Sequence, residues 1–449
     1  MADFNDQNRL TSRVRRYARV SGAVGGVAAK VAGQRLLGLD LSNGGLAAEL
    51  RQILGNLKGP VMKVAQILST IPDALPREYA QELAQLQAAA PAMGWPFVKR
   101  RMTSELGPGW QGRYGSFERH AAAAASLGQV HRATDADGRP LAVKLQYPDM
   151  SSAVEADLNQ LDLLLAIFRR YDKSIDTSEI REELAARLRE ELDYAREARH
   201  MALYTDMLAG EDHVHVPGVL DALSTDRLLT MTWLDGQPLM RFKDADQDTR
   251  NRIAVNLFRA WYVPFHKYGV IHGDPHLGNY SARDDLDINL LDFGCVRIFP
   301  AAFVGGVIDL YRALRDGDRE LAVSAYETWG FKGLSNELID TLNIWAAFLY
   351  GPLMEDQPRL INAAEQPGLY GATVAAKVHR RLKELGPVTP PREFVFMDRA
   401  AVGLGGVFLH LAAQVNWYRL FQDVIEGFDV DGLAERQATV LKAAGLDGP

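Results

Sequence analysis

A chain of 449 residues, 47% hydrophobic and 24% charged, is long enough to bury two or three cores and has the composition of an ordinary globular protein in which helix predominates. Its net charge of −7 excludes nucleic acid as the main partner, because duplex binding needs a broad cationic face to displace phosphate counterions. Cys295 is the sole cysteine, which rules out an intrachain disulfide and a cysteine-built zinc site and fits a reducing compartment.

The first residues, Met-Ala-Asp-Phe-Asn-Asp-Gln-Asn, lack the basic start and apolar core of a secretory signal. The expected location is therefore the cytoplasm, with peripheral contact on the inner face of the membrane. From 7 to 39 there is no acidic residue, while Arg9, Arg13, Arg15, Arg16, Arg19, Lys30 and Arg35 accumulate. This basic arm, residues 1–40, reads either as a helix lying on anionic lipid or as a solvated leader. Gly22, Gly25, Gly26 and Gly33 weaken a continuous helix and favour the leader.

Residues 41–110 read as a helical extension. Leu46, Leu50, Ile53, Leu54 and Leu57 recur at helical spacing until Gly59-Pro60 ends one helix and starts the next. The second helix places Val61, Val64, Ala65 and Leu68 on one face and Lys63 and Gln66 one turn apart on another. A third, marked by Tyr79, Leu83 and Leu86, stops before Pro91.

Residues 111–236 change character. An alanine run is followed by the turn Thr134-Asp135-Ala136-Asp137-Gly138 and the strand-like Leu141-Ala142-Val143-Lys144-Leu145, which together predict a β-hairpin. Ile180, Leu184, Leu188 and Leu192 predict one long amphipathic helix carrying Glu191, Asp193 and Glu197, with Asp193 and Glu197 one turn apart on a common face. A strand over 228–234 then runs into Asp235-Gly236. Residues 237–449 read as mainly helical, interrupted by short segments at 272–279 and 288–294. The apolar stretches at 342–354 and 400–413 fall short of the ~20 residues a membrane span needs, so both read as buried helices. Trp345, Trp417 and Tyr418 read as core or interface aromatics.

The strongest chemical signal is His272-Gly273-Asp274-Pro275-His276-Leu277-Gly278-Asn279, followed by a short strand and Asp292-Phe293-Gly294. Phosphoryl transfer needs a carboxylate near the attacking hydroxyl and oxygen ligands for Mg²⁺, and the kinase template supplies them at this spacing. Asp292 would bind the metal that bridges the phosphates, Asn279 the same metal or a second one, and Asp274 would orient the nucleophile or accept its proton. His272 reads as a residue that orients the loop rather than as a base. Lys144, in Leu-Ala-Val-Lys, is placed to contact the α- and β-phosphates. One of Glu191, Asp193 and Glu197 is expected to pair with it, leaving another for Lys63 or metal.

With these motifs the chain resembles the UbiB family of atypical kinases, from about Gly59 to the C-terminal helices. The family's Lys-x-Gly-Gln appears as Lys63-Val64-Ala65-Gln66, its alanine-rich nucleotide loop as Ala123-Ala124-Ala125-Ser126, and its Glu-x-Asp as Glu191-Leu192-Asp193. Its His-x-Asp-x-His-Pro-Gly-Asn signature is present with Leu277 for proline, and the stretches Leu75-Pro76-Arg77-Glu78-Tyr79 and Leu127-Gly128-Gln129-Val130-His131 are also similar. Ala65 in place of glycine adds a methyl where a helix approaches backbone.

The resemblance implies a helix-rich α+β, two-lobed, protein-kinase-like fold, with a lobe at 111–236, a helical lobe at 237–449, and an N-terminal extension that holds Lys63 and Gln66 over the nucleotide site. It implies ATP and Mg²⁺ as cofactors and an ATPase that supports ubiquinone or isoprenoid-lipid metabolism, with protein phosphorylation in trans disfavoured. Two residue-level features agree with that last point: alanine replaces the flexible glycines of a kinase phosphate loop, and no Ala-Pro-Glu follows Asp292, where Ile298-Phe299-Pro300 stands instead. The expected partners are a nucleotide, membrane or isoprenoid lipid at the periphery, and a second copy of the chain or lipid-biosynthesis enzymes. Two other readings use the same residues: a small-molecule phosphotransferase of the aminoglycoside or choline-kinase type, and a nucleotide-binding scaffold without turnover.

Overall fold

The computed structural model describes residues 93–124, 127–148, 188–361 and 391–448, with parts of 150–158, 185–186 and 373–385. The basic arm, the helices read between 46 and 86 with Lys63 and Gln66, and Ala125 and Ser126 lie outside the described residues.

In chain order the elements begin with α1 (Trp95–Leu106), β1 (Ser116–Ala124), β2 (Gly128–Thr134), β3 (Pro140–Gln146), α2 (Tyr194–Met207), β4 (Val214–His215) and β5 (Leu228–Thr232). There follow β6 (Gln237–Pro238), α3 (Gln247–Tyr268), β7 (Val270–His272), β8 (Tyr280–Ala282), β9 (Ile288–Leu290) and β10 (Val296–Ile298). The remainder comprises α4 (Ala301–Asp316), α5 (Arg319–Thr328), α6 (Asn336–Tyr350), β11 (Arg359–Leu360), α7 (Arg392–Leu411), β12 (Gln414–Val415), α8 (Trp417–Ile425) and α9 (Val430–Ala443). These sort into two compact units, residues 1–198 with 219–233, and residues 199–218 with 234–449. The class is α+β and helix-rich, as the sequence predicts.

The first unit is built on an antiparallel sheet of order β1-β2-β3-β5. The predicted hairpin is β2 and β3, in register from Gly128 opposite Gln146 to Thr134 opposite Pro140. Its turn is held by Asp135, whose Oδ1 accepts from the backbone N–H groups of Asp137 and Arg139, both at 2.9 Å. Trp110, Val98, Met102, Leu141, Val143 and Leu228 form the core against this sheet. β1 is an edge strand of this sheet, and its alanine-rich length is largely exposed.

The single long helix predicted from Ile180 through Glu197 does not persist. Helical backbone through Glu190 gives way to a turn at Glu191 and Leu192, and α2 restarts at Tyr194. The break is local side-chain chemistry: Asp193 Oδ1 accepts the backbone N–H of Arg196 at 2.8 Å, the bond by which an aspartate caps a new helix N-terminus.

In the second unit, the 22-residue α3 starts at an Asp246 cap and buries Ile253, Leu257, Trp261 and Phe265. Two small sheets, β10-β7 and β4-β9-β8-β6, carry the short segments that interrupt the helices. The apolar stretch at 342–354 is the end of α6 and a 3₁₀ turn, and that at 400–413 lies largely in α7. No helix among the described residues is long and apolar enough to cross a membrane. Trp417 is fully buried, and its indole N–H donates to the carbonyl of Arg359 at 2.9 Å.

Between α6 and α7, Asp398 accepts a hydrogen bond from Trp345 Nε1 at 2.5 Å, and burial pushes its carboxyl up to about 6. Because the folded value lies above the unfolded one, the folded state binds more protons between them, so this group's contribution to stability falls as pH rises from about 4 to about 6. Asp398→Asn keeps the acceptor for Trp345 and removes the buried charge. The variant is expected to be more stable than the parent at pH 8, by on the order of 2 kcal/mol, and to lose that advantage at pH 4, as read by thermal unfolding.

Candidate active site

In the first unit, the alternation of β3 sends Leu141, Val143 and Leu145 into the core and sets Lys144 on the opposite face, where its side chain is nonetheless buried. Its ammonium donates to both carboxylate oxygens of Glu197, at 2.7 and 2.9 Å. Glu197 lies in the first turn of α2 and is 3% exposed, Lys144 8%. Of the three predicted carboxylates, the structure therefore pairs Glu197 with Lys144. Asp193 is the helix cap, and Glu191 lies in the turn before it.

Tyr194 completes this arrangement, and no sequence pattern marks it out. Lys144 Nζ sits 5.2 Å from the centre of its ring, a cation–π contact in a desolvated setting. The phenol reaches the start of β2, where a Cβ on Gly128 would lie 2.7 Å from the Tyr194 oxygen and 2.6 Å from the carbonyl of Leu145. Only glycine fits there. The signal is present in Leu127-Gly128-Gln129, but the demand for glycine is visible only once the strand and the helix are placed.

In the second unit, β7 delivers His272 and the loop that carries Asp274, and β8 and β9 bring Asn279 and Asp292 to the same end of the small sheets. His272 is 2% exposed, among Trp261, Tyr280 and Phe293, and its Nε2 donates to the carbonyl of Asp292. It is thus a positioning residue that ties the Asp274 loop to the Asp292 segment. Asn279 Nδ2 donates to the carbonyl of Asp274 at 3.0 Å, and the Tyr280 hydroxyl approaches the same oxygen at 3.5 Å. Burial, and then the charge of Asp274, push the Tyr280 phenol up, so it remains a donor. Asp292 Oδ1 accepts from the N–H of Gly294 at 2.9 Å, closing the Asp-Phe-Gly turn around a fully buried Phe293.

His200 is a second residue that sequence reasoning misses. Its Nδ1 donates to the carbonyl of Phe293 at 3.0 Å, so consecutive carbonyls at 292 and 293 are each held by a buried imidazole. The loop is further braced by α7, where Gly403 packs so closely that a Cβ would fall 2.3 Å from Pro275 Cγ. His276 is exposed and accepts from Gly278 N–H at 3.0 Å.

The donor set suits a magnesium ion held jointly with phosphate. Among the described residues no cluster of three or more His, Cys, Asp or Glu is placed to hold a metal alone. Mg²⁺ is ordinarily bound by one or two protein oxygens plus phosphates and water, so such a cage is not required. Because a carbonyl can only accept, the bond from Asn279 to Asp274 fixes the amide's orientation and leaves Asn279 Oδ1 as its acceptor atom.

Comparison with known proteins bears on the same segments. The ABC1 atypical kinase-like domain matches residues 85–326. The chain belongs to this family. It is 29% identical to the rat protein named atypical kinase COQ8B, mitochondrial, over 96% of this chain and 83% of that one. It is 28% identical to the yeast (Saccharomyces cerevisiae) atypical kinase COQ8, mitochondrial, over 82% and 74%. Among solved structures, the Mycobacterium tuberculosis protein Rv3197, determined as a complex with erythromycin, superposes with a TM-score of 0.59 at 26% identity, covering 85% of this chain and 95% of that one. Membership of the ABC1 family establishes the kinase-like fold, the UbiB-type resemblance and a kinase-like phosphoryl-transfer enzyme that uses ATP. The expected cytoplasmic location is overturned, because the rat and yeast relatives are named as mitochondrial proteins. The pattern of the first residues does not separate the cytosol from an organelle.

Breaking the buried pair is costlier than replacing it. Glu197→Ala strands a buried ammonium and is expected to cost about 3–5 kcal/mol in urea unfolding, whereas Lys144→Met with Glu197→Leu recovers most of that loss. His272→Phe keeps the aromatic packing but removes the donor to Asp292, with an expected loss of about 1–3 kcal/mol in the same measurement.

Proposed function

We propose that this ABC1-family protein is a Mg²⁺-dependent ATPase that supports ubiquinone or other isoprenoid-lipid metabolism and does not ordinarily phosphorylate proteins in trans. The observation that carries the phosphate chemistry is the two-point pairing of Lys144 with Glu197, the arrangement a kinase needs before its lysine can address the α- and β-phosphates. In this reading Asp292 and Asn279 hold the ion. When bound, Mg²⁺ neutralises charge on the β- and γ-phosphates and on the departing oxygen. Asp274, its backbone fixed by Asn279 and Tyr280, orients a water and takes its proton as the water oxygen bonds to the γ-phosphorus. The bond from that phosphorus to the β,γ-bridging oxygen breaks, and ADP leaves with the electron pair.

The alanines at the end of β1 support hydrolysis over protein phosphorylation, since Ala123 and Ala124 lie on an extended edge strand that lacks the glycine freedom of a kinase phosphate loop. Ala125 and Ser126 complete that loop in the proposal, with Glu191 and Asp193 near the nucleotide, and Lys63 and Gln66 gate the site against larger substrates. The lipid side of the proposal comes from the family resemblance. Lipid surfaces, a second copy of the chain and lipid-biosynthesis enzymes are the partners it implies.

The test incubates the purified protein with Mg²⁺ and γ-labelled ATP, with and without anionic liposomes that carry a phenolic quinone-precursor analogue, beside Asp292→Asn. Free phosphate that rises with liposomes and drops by about a thousandfold in the variant is the expected result. Label recovered on a small molecule instead would establish a phosphotransferase. ATP binding without turnover would leave a scaffold, and ATPase activity indifferent to EDTA would remove the metal.

A further inference from the structure

The motif Leu127-Gly128-Gln129-Val130-His131 contributes Gly128 to the lysine site, but Gln129 and His131 have no part in the chemistry above. Both are completely buried, two residues apart on one face of β2. They stand opposite the alanine run, with Gln129 paired to Ala124 and His131 to Ala121.

Their hydrogen bonds admit only one direction. Met93 N–H can only donate, and it meets Gln129 Oε1 at 2.6 Å, so the amide's oxygen is fixed at that end. Gln129 Nε2 then faces the other way, donating to His131 Nε2 at 2.8 Å and reaching the carbonyl of Met93 at 3.3 Å. His131 Nε2 must therefore be the acceptor, and the ring proton resides on Nδ1. That N–H meets the carbonyl of Glu118 at 2.8 Å, and a carbonyl can only accept. Backbone groups with no choice of role close the chain at both ends, and every intermediate atom is consistent with them.

The far end lies where β1 is irregular. The register shifts between Phe117 and Ala121, and again between Ala121 and Ala123, and Glu118 is inside the first shift. The imidazole thus supplies a donor where the ladder is interrupted, and the Phe117 ring stacks on it at 5.2 Å. Burial pushes His131 down, which favours the neutral ring; the backbone bond to Glu118 and that residue's carboxylate work against the shift, and the charge of His120 works with it.

We propose that Gln129 and His131 are positioning residues, a one-way relay from the backbone at Met93 to the carbonyl of Glu118 that fixes β1 and its alanine-rich end in the register that binds nucleotide. The proposal deepens the ATPase reading and rests on it for the role of the alanine loop. It also ties the end of β1 to the backbone at Met93, just ahead of α1.

The experiment uses the full-length protein with ¹⁵N-labelled histidine, His131 being assigned through His131→Gln. The relay requires a protonated Nδ1 and an unprotonated Nε2; the opposite tautomer, or an imidazolium at pH 7, overturns it. Gln129→Leu cuts the relay. Gln129→Glu sets a carboxylate against His131 Nε2, which restores the connection through a doubly protonated ring. Expected are faster amide exchange at Met93 and a loss of affinity for a fluorescent ATP analogue of about tenfold in Gln129→Leu, against less than about threefold in Gln129→Glu, with His131 titrating higher in the latter. Unchanged nucleotide affinity in Gln129→Leu, despite faster exchange, would reduce the relay to ordinary structure and sink the proposal. If Gln129→Leu does not fold, a Gln129→Glu protein that folds but shows no rise in His131 titration overturns it equally. Failure of the parent protein to bind nucleotide would instead defeat the ATPase reading, while the tautomer measurement would still decide the relay.

Discussion

A lysine and a glutamate taken out of water together set the terms for the first unit. Desolvating either charge alone costs several kcal/mol, and that cost is offset only when the two meet with good geometry. The meeting of Lys144 with both oxygens of Glu197 satisfies this condition, and it constrains everything nearby. β3 must be covered on the face that carries the lysine, α2 must begin where its first turn presents Glu197, and Tyr194 must lie under the ammonium, which in turn leaves room only for glycine at 128. A stabilising hydrophobic pair would hold the hairpin to the helix as well. A charged amine is what the proposed phosphate contact of Lys144 needs, and a hydrophobic pair would not supply it.

The second unit solves a related problem by different means. Here the candidate site residues and their neighbours share the bracing of the loops. Asp292 closes its own turn on the N–H of Gly294, His272 and His200 donate to consecutive carbonyls, and Asn279 and Tyr280 converge on the carbonyl of Asp274. Aromatic packing around His272 and Phe293 excludes water from these bonds and makes each one matter more. The result is a pair of carboxylate-bearing segments whose backbone is braced by hydrogen bonds from the protein itself.

Much of this is legible in the amino-acid sequence. The hairpin can be read because Asp135 and Gly138 encode a turn through short-range bonds, and flanking alternation encodes strands. The order of Asp274, Asn279 and Asp292 can be read because phosphoryl transfer imposes a local spacing. The unbroken helix through Glu197 is a misreading: Leu188 and Leu192 continue the apolar period, whereas the cap bond of Asp193 resets the helix phase. Periodicity records which face is apolar and is blind to a restart, so it sets Asp193 within a helix whose start it in fact caps.

Residue types and their spacing along the chain therefore specified the class of chemistry, the kinase-like family and the hairpin, since each depends on contacts between near neighbours. The choice of Glu197 for Lys144, separated by 53 positions, belonged to the folded molecule, as did the imidazoles that hold Phe293 and Asp292 and the direction of the bonds through Gln129. Partners so distant are selected by how elements pack, and a buried charge or imidazole proton is placed only when the groups around it, each with a fixed capacity to donate or accept, have been brought within reach.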